Sequence, residues 1–194
     1  MAKRRGLTFY QKKKKLNMAL INEVISWIFW IIMSIVLAVM IVYCVGMKTT
    51  VIGASMEPSL YNGQNILLNR VIYKIISPKV GDVVVFLPNG NEKAHYYAKR
   101  VVAVPGDELI VKNGILYVNG EVQDDYFNDK IAEAGLAENS IILGDNEYFV
   151  IGDNCNNSED SRSANIGNIK KEHIIGKAWF RFKKGNSGMG LIKK

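Results

Sequence analysis

From residue 24 to residue 47 the chain runs for 24 residues without a charge (VISWIFWIIMSIVLAVMIVYCVGM). At about 1.5 Å per residue a helix of that length reaches roughly 36 Å, enough to cross a bilayer core of about 30 Å. Trp27, Trp30 and Tyr43 lie toward its two ends, where amphipathic rings favour the lipid–water interface. The core helix of a water-soluble protein rarely stays apolar on all faces for so long. A cleaved signal peptide shares the basic start, but its apolar region usually spans about 7–15 residues. The run therefore reads as an uncleaved single-pass anchor.

The charge is placed to orient such an anchor. Formal net charge is +7, of which +6 sits in residues 1–23: Lys3, Arg4, Arg5 and Lys12 to Lys15 against one acid, Glu23. Only Lys48 follows the apolar run closely. Loops rich in Lys and Arg stay in the cytoplasm, so residues 1–23 are expected there as a basic tail and residues 48–194 outside the cytoplasmic membrane. Basicity confined to a tail argues against a globular face that binds nucleic acid. Cys44 is expected in or near lipid and Cys155 in a polar loop, so a disulfide between them is not expected.

The outer part reads as mainly β. Of the 194 residues 48% are hydrophobic and 22% charged, and the 17 Gly and 9 Tyr suit a turn-rich, strand-rich domain. Strand signals fall at 49–52, 65–69, 82–87, 94–104, 109–112, 115–118, 147–151 and 177–182. Asn113-Gly114 between two of them is a strong two-residue hairpin signal, and Pro105-Gly106 a turn. Repeated reversals suggest an antiparallel sheet or partial barrel over residues 48–183. Residues 124–144 read as a small inserted lobe, and residues 184–194 as a flexible tail.

Three segments carry candidate chemistry. In Gly53-Ala-Ser-Met-Glu-Pro-Ser-Leu60, small neighbours leave room for a substrate backbone beside Ser55. The residue types alone leave Ser55 as either a turn hydroxyl or a nucleophile. In the segment from Tyr97 to Asp107, alternation puts Tyr97, Lys99, Val101 and Ala103 on one face. A lysine in a strand apolar on both sides is partly desolvated, which lowers its pKa and suits it to act as a base. Taken alone, a lysine whose head reaches water is the simpler reading. In Gly152-Asp-Asn-Cys-Asn-Asn-Ser-Glu-Asp-Ser-Arg162, the residues suit a plain turn. They also suit a loop that brings Ser158 to a buried amine while Asp160 and Arg162 pair.

Together, in this order and behind an N-terminal anchor, these segments resemble the bacterial type I signal peptidases, the serine–lysine signal peptidase family. The resemblance runs from the anchor to residues 176–180 (GKAWF) and is that of the smaller Gram-positive-type members. It implies a membrane-anchored serine endopeptidase that removes signal peptides from exported preproteins after small residues, the Ala-x-Ala pattern. It implies Ser55 as nucleophile, Lys99 as general base, and Ser158 as the group that orients the amine. Asp160 and Arg162 become a structural ion pair, and Gly152 and Asp153 loop scaffolding. The Ser55 amide forms part of the oxyanion hole. Some members carry a serine where this chain has Gly53, so the second oxyanion donor is left open. No metal and no cofactor are implied, and a monomer is expected. The partners implied are preproteins and the lipid bilayer. An extended substrate is expected to pair with residues 50–54 and 82–87 by strand addition, and Met56 to dip into lipid.

Other classes fit less well. The calcium-loop pattern fails at Cys155, and neither HExxH nor a cysteine-pair spacing occurs. A self-cleaving Ser–Lys repressor needs a DNA-binding domain instead of a membrane span. A membrane-anchored binding module remains the non-enzymatic alternative. A Ser-His-Asp hydrolase would need His95 or His173, the chain's only histidines. His95 lies four residues from Lys99 along one strand, roughly 13 Å away, and cannot take its place. His95→Ala and His173→Ala are therefore expected to cleave a preprotein at close to the wild-type rate, and Lys99→Ala to lose cleavage. The reverse pattern would overturn the lysine assignment.

Overall fold

The computed structural model describes residues 18–91, 94–123, 125–127, 129–185 and 187–193. The basic residues Lys3, Arg4, Arg5 and Lys12 to Lys15 lie outside them. The chain divides into two compact units, one ending at Met40 and the other running from Ile41 to Lys194. Helix α1 (Met18–Val45) carries no charged residue after Glu23. Its stretch Met18–Cys44 is long and apolar enough to cross a membrane, and none of its most apolar window is buried against protein.

The second unit is built on two antiparallel sheets. Its strands are β1 (Met47–Thr50), β2 (Asn65–Asn69), β3 (Val83–Phe86), β4 (Tyr97–Ala103), β5 (Glu108–Lys112), β6 (Ile115–Val118), β7 (Glu121–Val122), β8 (Ile141–Ile142), β9 (Glu147–Ile151), β10 (Ile169–Lys170), β11 (Ile174–Arg181) and β12 (Gly190–Leu191). The larger, curled sheet has the order β1-β2-β11-β3-β4-β9-β10, with β12 added to β11. The smaller has the order β7-β6-β5-β8. A one-turn helix, α2 (Ile72–Ile75), follows β2. The fold is mainly β and antiparallel, as the sequence implies.

The Asn113-Gly114 turn forms as expected. Lys112 pairs with Ile115, and both turn residues adopt positive φ, 54° and 78°, the backbone a two-residue hairpin requires. The smaller sheet draws on this hairpin as well as on Ile141–Ile142, so it extends beyond the 124–144 segment. Beyond Lys183 the chain turns back, and Gly190–Leu191 pairs with Phe180 and Arg181.

Three sequence expectations are corrected. β3 is a central strand, paired with β11 on one side and β4 on the other. It offers no edge to a substrate, because β11 pairs beside it from far downstream, Lys177 against Val84. Met56 is fully buried among Val51, Leu60, Ile66, Leu68, Val83, Val85 and Ala178, so it packs a protein core and not lipid. The alternation along β4 stops at Val101. A register shift between Val101 and Ala103 sends both Val102 and Ala103 into the core beneath the smaller sheet.

That core contains Leu109, Leu116, Phe149 and Ile151, all nearly or fully buried. Leu109→Ala leaves a cavity there and is expected to cost about 2–5 kcal/mol of stability, read as a lowered urea midpoint of the detergent-solubilised chain. A change below about 1 kcal/mol would mean the smaller sheet packs loosely.

Candidate active site

The three candidate segments meet on the larger sheet. β4 carries Lys99 opposite Val84 of β3, and β3 is buried on both faces. The lysine is 2% exposed. Its ammonium donates to Ser158 Oγ at 3.0 Å, and the Tyr97 ring lies 5.8 Å from Nζ. Ser158 in turn donates to Asp160 Oδ2 at 2.6 Å. Asp160 is buried and accepts from Arg162 Nε at 2.8 Å, Arg162 Nη2 at 2.9 Å and the Gly152 amide at 3.1 Å. The Ser158 hydrogen is thereby committed to the carboxylate, and its oxygen faces the amine as an acceptor. Lys99 must use an N–H there, which leaves the lone pair of a neutral amine free to point elsewhere.

Ser55 is brought in by its backbone. Its carbonyl accepts from the Asn154 amide at 3.0 Å, and the Asn154 side chain donates to the Ala54 carbonyl at 3.3 Å. Both the Ser55 turn and Ser158 close on Gly152. A Cβ at that position would stand 2.3 Å from the Ser55 carbonyl oxygen and 2.4 Å from Ser158 Oγ, so only glycine permits the approach. Ser55 itself is half-buried. Among the described residues no hydrogen bond joins its hydroxyl to Lys99, and its amide has no acceptor. Gly53 has a φ of +89°, a region L side chains rarely adopt, and its amide donates to Asn62 Oδ1 at 3.1 Å. A serine at 53 would be strained in this backbone.

Burial is the largest influence on Lys99 and pulls its pKa from 10.5 down to about 8. The Asp160 carboxylate opposes that shift, and Arg162 adds to it. Cys155 is buried, with its thiol against the Asp129 carbonyl at 3.6 Å, and burial pushes its pKa up. That disfavours the thiolate. A cleft of about 380 Å³ borders Ser158, Asp160 and Arg162. A second cavity, of about 810 Å³, lies elsewhere, around Arg70 and Lys170. Among the described residues no three His, Cys, Asp or Glu side chains converge to hold a metal.

Two functional positions escape sequence reasoning. Arg100 forms a buried bidentate pair with Asp153, Nε to Oδ1 at 2.7 Å and Nη2 to Oδ2 at 2.6 Å. It also donates to the carbonyls of Gly81 and Lys193 and to Ser59 Oγ, which ties β4, the Ser55 turn and the 152–162 loop together. An arginine beside Lys99 in an otherwise apolar strand is the signal that marks it. Asn154 carries no comparable signal in a loop already rich in Asn.

The comparisons with known proteins agree on one family. A family profile described as "Signal peptidase, peptidase S26" matches residues 24–183. Signal peptidase IB of Staphylococcus aureus is 36% identical over 181 residues, covering 83% of this chain and 90% of that protein. Signal peptidase I of Bacillus licheniformis is 33% identical over 169 residues, covering 83% and 89%. A crystal structure of a signal peptidase I from Enterococcus faecalis overlays with a TM-score of 0.43 and 28% identity, covering 53% of this chain and 97% of that one.

The pKa of Lys99 has a consequence for stability. Between about pH 8 and 10.5 the unfolded chain holds a proton that the folded chain has shed, so this group favours folding increasingly as pH rises through that window. At pH 7 the folded state carries a buried ammonium. Lys99→Met is expected to raise the urea midpoint at pH 7, by on the order of 1–3 kcal/mol, with most of the gain gone at pH 10. A gain equal at both pH values would mean that the amine titrates normally.

Proposed function

Since the chain belongs to the signal peptidase, peptidase S26, family, we propose that it is a membrane-anchored endopeptidase that removes N-terminal signal peptides from exported preproteins. Helix α1 anchors it with the N-terminus in the cytoplasm and the β unit outside. Ser55 is the nucleophile and Lys99 the base.

The observation that supports this reading most is the buried Lys99 amine, held by an acceptor-only contact to Ser158 across Gly152 from Ser55. With a pKa of about 8, roughly a tenth of the lysine is neutral at pH 7. The neutral amine takes the Ser55 hydroxyl proton, and Ser55 Oγ attacks the scissile carbonyl. The Ser55 amide, free of other acceptors, donates to the developing oxyanion, a contribution of about 2.7–4 kcal/mol per donor where it has been measured. The lysinium protonates the departing amine, which leaves an acyl-enzyme at Ser55. Lys99 then takes a proton from water, the resulting nucleophile attacks the ester, and the proton returns to Ser55 Oγ.

Substrate binding follows from a free edge. β1 is the terminal strand of the larger sheet, and the chain beyond it, residues 51–54, leads directly into the Ser55 turn. An extended peptide added along residues 50–54 presents its carbonyl to Ser55. Side chains near the scissile bond lie against the backbone of a tight turn, which favours small residues on the Ala-x-Ala pattern.

Cleavage of a signal-bearing preprotein by Ser55→Ala and Lys99→Ala, in detergent with the fold checked by circular dichroism, tests the reading. Each is expected to lose about 10³-fold or more. Wild-type cleavage should climb about tenfold per pH unit up to about pH 8 and level off above it, because the active form is the deprotonated amine. A profile flat down to about pH 5 would rule out a lysine base. No cleavage by the folded wild-type chain would favour the membrane-anchored binding module.

A further inference from the structure

The cavity of about 810 Å³ around Arg70 and Lys170 has no part in the proposed chemistry. Arg70, Lys74, Lys170 and Lys171 line it, with Glu147 and Glu172 as its acids. Glu147 is engaged elsewhere, accepting from Asn168 Nδ2 at 2.8 Å and from the Gly144 amide at 3.2 Å. Glu172 reaches toward His173 at 3.7 Å. Among the described residues none of the four cations is in an ion pair. Arg70 lies over the Tyr43 ring, 5.8 Å from its centroid, and the Lys171 amine donates to Ser77 Oγ at 3.2 Å.

Its place on the chain identifies its surroundings. The Arg70 amide donates to the Cys44 carbonyl at 3.0 Å, and Cys44 belongs to the last turn of α1. A helix that spans a bilayer ends at the headgroup layer, so the groove opens at that depth. This step rests on the membrane-anchored reading above. The same segment carries Ile75 and Ile76, 80% and 45% exposed, beside Lys74. Exposed isoleucines next to unpaired cations suit an interface that is apolar below and anionic above.

We infer that the groove of Arg70, Lys74, Lys170 and Lys171 binds the phosphate of an anionic phospholipid in the outer leaflet, with Ile75 and Ile76 entering the acyl boundary beside it. The groove thereby gives the β unit a second membrane contact, distinct from the anchor and from the Ser55 site. Charge complementarity selects anionic over zwitterionic headgroups.

The full-length chain carrying an environment-sensitive fluorophore at Ile75→Cys, in a Cys44→Ser background, tests this; Cys155 is buried. It is reconstituted in phosphatidylcholine vesicles with increasing phosphatidylglycerol. The emission is expected to shift to the blue as phosphatidylglycerol rises. Arg70→Gln or Lys171→Gln should raise the required fraction about fivefold each, the ratio that matches about 1 kcal/mol per charge near an anionic surface. Lys112→Gln, on the smaller sheet, should leave it unchanged. Emission insensitive to phosphatidylglycerol, or to the groove substitutions, overturns the lipid site while leaving the anchor intact. Millimolar glycerol phosphate abolishing the shift would make a soluble phosphate ester the occupant and also overturn it. Alkaline carbonate extraction of the same vesicles reads the anchor separately: a chain that washes off overturns the spanning helix and this inference with it.

Discussion

An ammonium group taken out of water must find compensation or surrender its proton, and the amine of Lys99 is held between those outcomes. β3 and the Lys99–Ala103 stretch of β4 are buried, so strand position removes most of its water. A carboxylate in direct contact would restore the charge and raise the pKa. Asp160 is near enough to pull in that direction, but Ser158 stands between it and the amine. Arg162 grips the same carboxylate with two side-chain N–H groups. The lysine therefore faces a carboxylate whose charge is largely spent on a neighbouring guanidinium. The Asp160–Arg162 pair thus holds a hydroxyl in one orientation without anchoring a proton on the lysine.

The next residue along β4 has the opposite treatment. Arg100 points to the other face and has its charge matched by Asp153 in two parallel hydrogen bonds, both partners buried. Such a pair stabilises little in net terms, because desolvation offsets most of the attraction. Its value is positional. The guanidinium also donates to Ser59 and to carbonyls from two other parts of the chain, so the Ser55 turn and the Asp153 loop are referenced to the strand that carries Lys99. Gly152 completes the arrangement by absence, since any side chain there would push the Ser55 turn from Ser158. Under the proposed function such positioning matters, because a misplacement of about 1 Å can cost about a hundredfold in rate.

The parts of this arrangement that are local in sequence were legible in it. The uncharged run announces α1 and Asn113-Gly114 announces its hairpin, while the Asp160–Arg162 pair is one of two readings of its loop and the one the family resemblance implies. Burial of Lys99 is one of two readings that its apolar neighbours allow, and the structure decides for it. The misread features depend on partners distant in sequence. Nothing near Val83 says that β11 will lie beside it, so residues 82–87 read as an available edge. Met56 is apolar, and apolarity does not distinguish a protein core from lipid. The shift at Val102 arises where β4 passes from one core to another, which alternation along a single strand does not reveal. The Asn154 amide that holds the Ser55 carbonyl belongs to the backbone, to which side-chain pattern is blind.

The uncovered helix closes the physical argument. Fully burying one large aliphatic side chain is worth about 1.5–3 kcal/mol, so a run like Met18–Cys44 left in water would carry a penalty of tens of kcal/mol. No part of its most apolar window is buried by the described chain. On the membrane-anchored reading proposed above, the bilayer supplies the cover that the described chain does not. Under the proposed function its substrates carry apolar segments of their own and are confined to the same membrane. Confinement replaces a search in three dimensions by one in two and raises the effective concentration of one chain near the other. A site that recognises only a short extended strand and a few small side chains gains little affinity from contacts, and within a shared membrane it needs little.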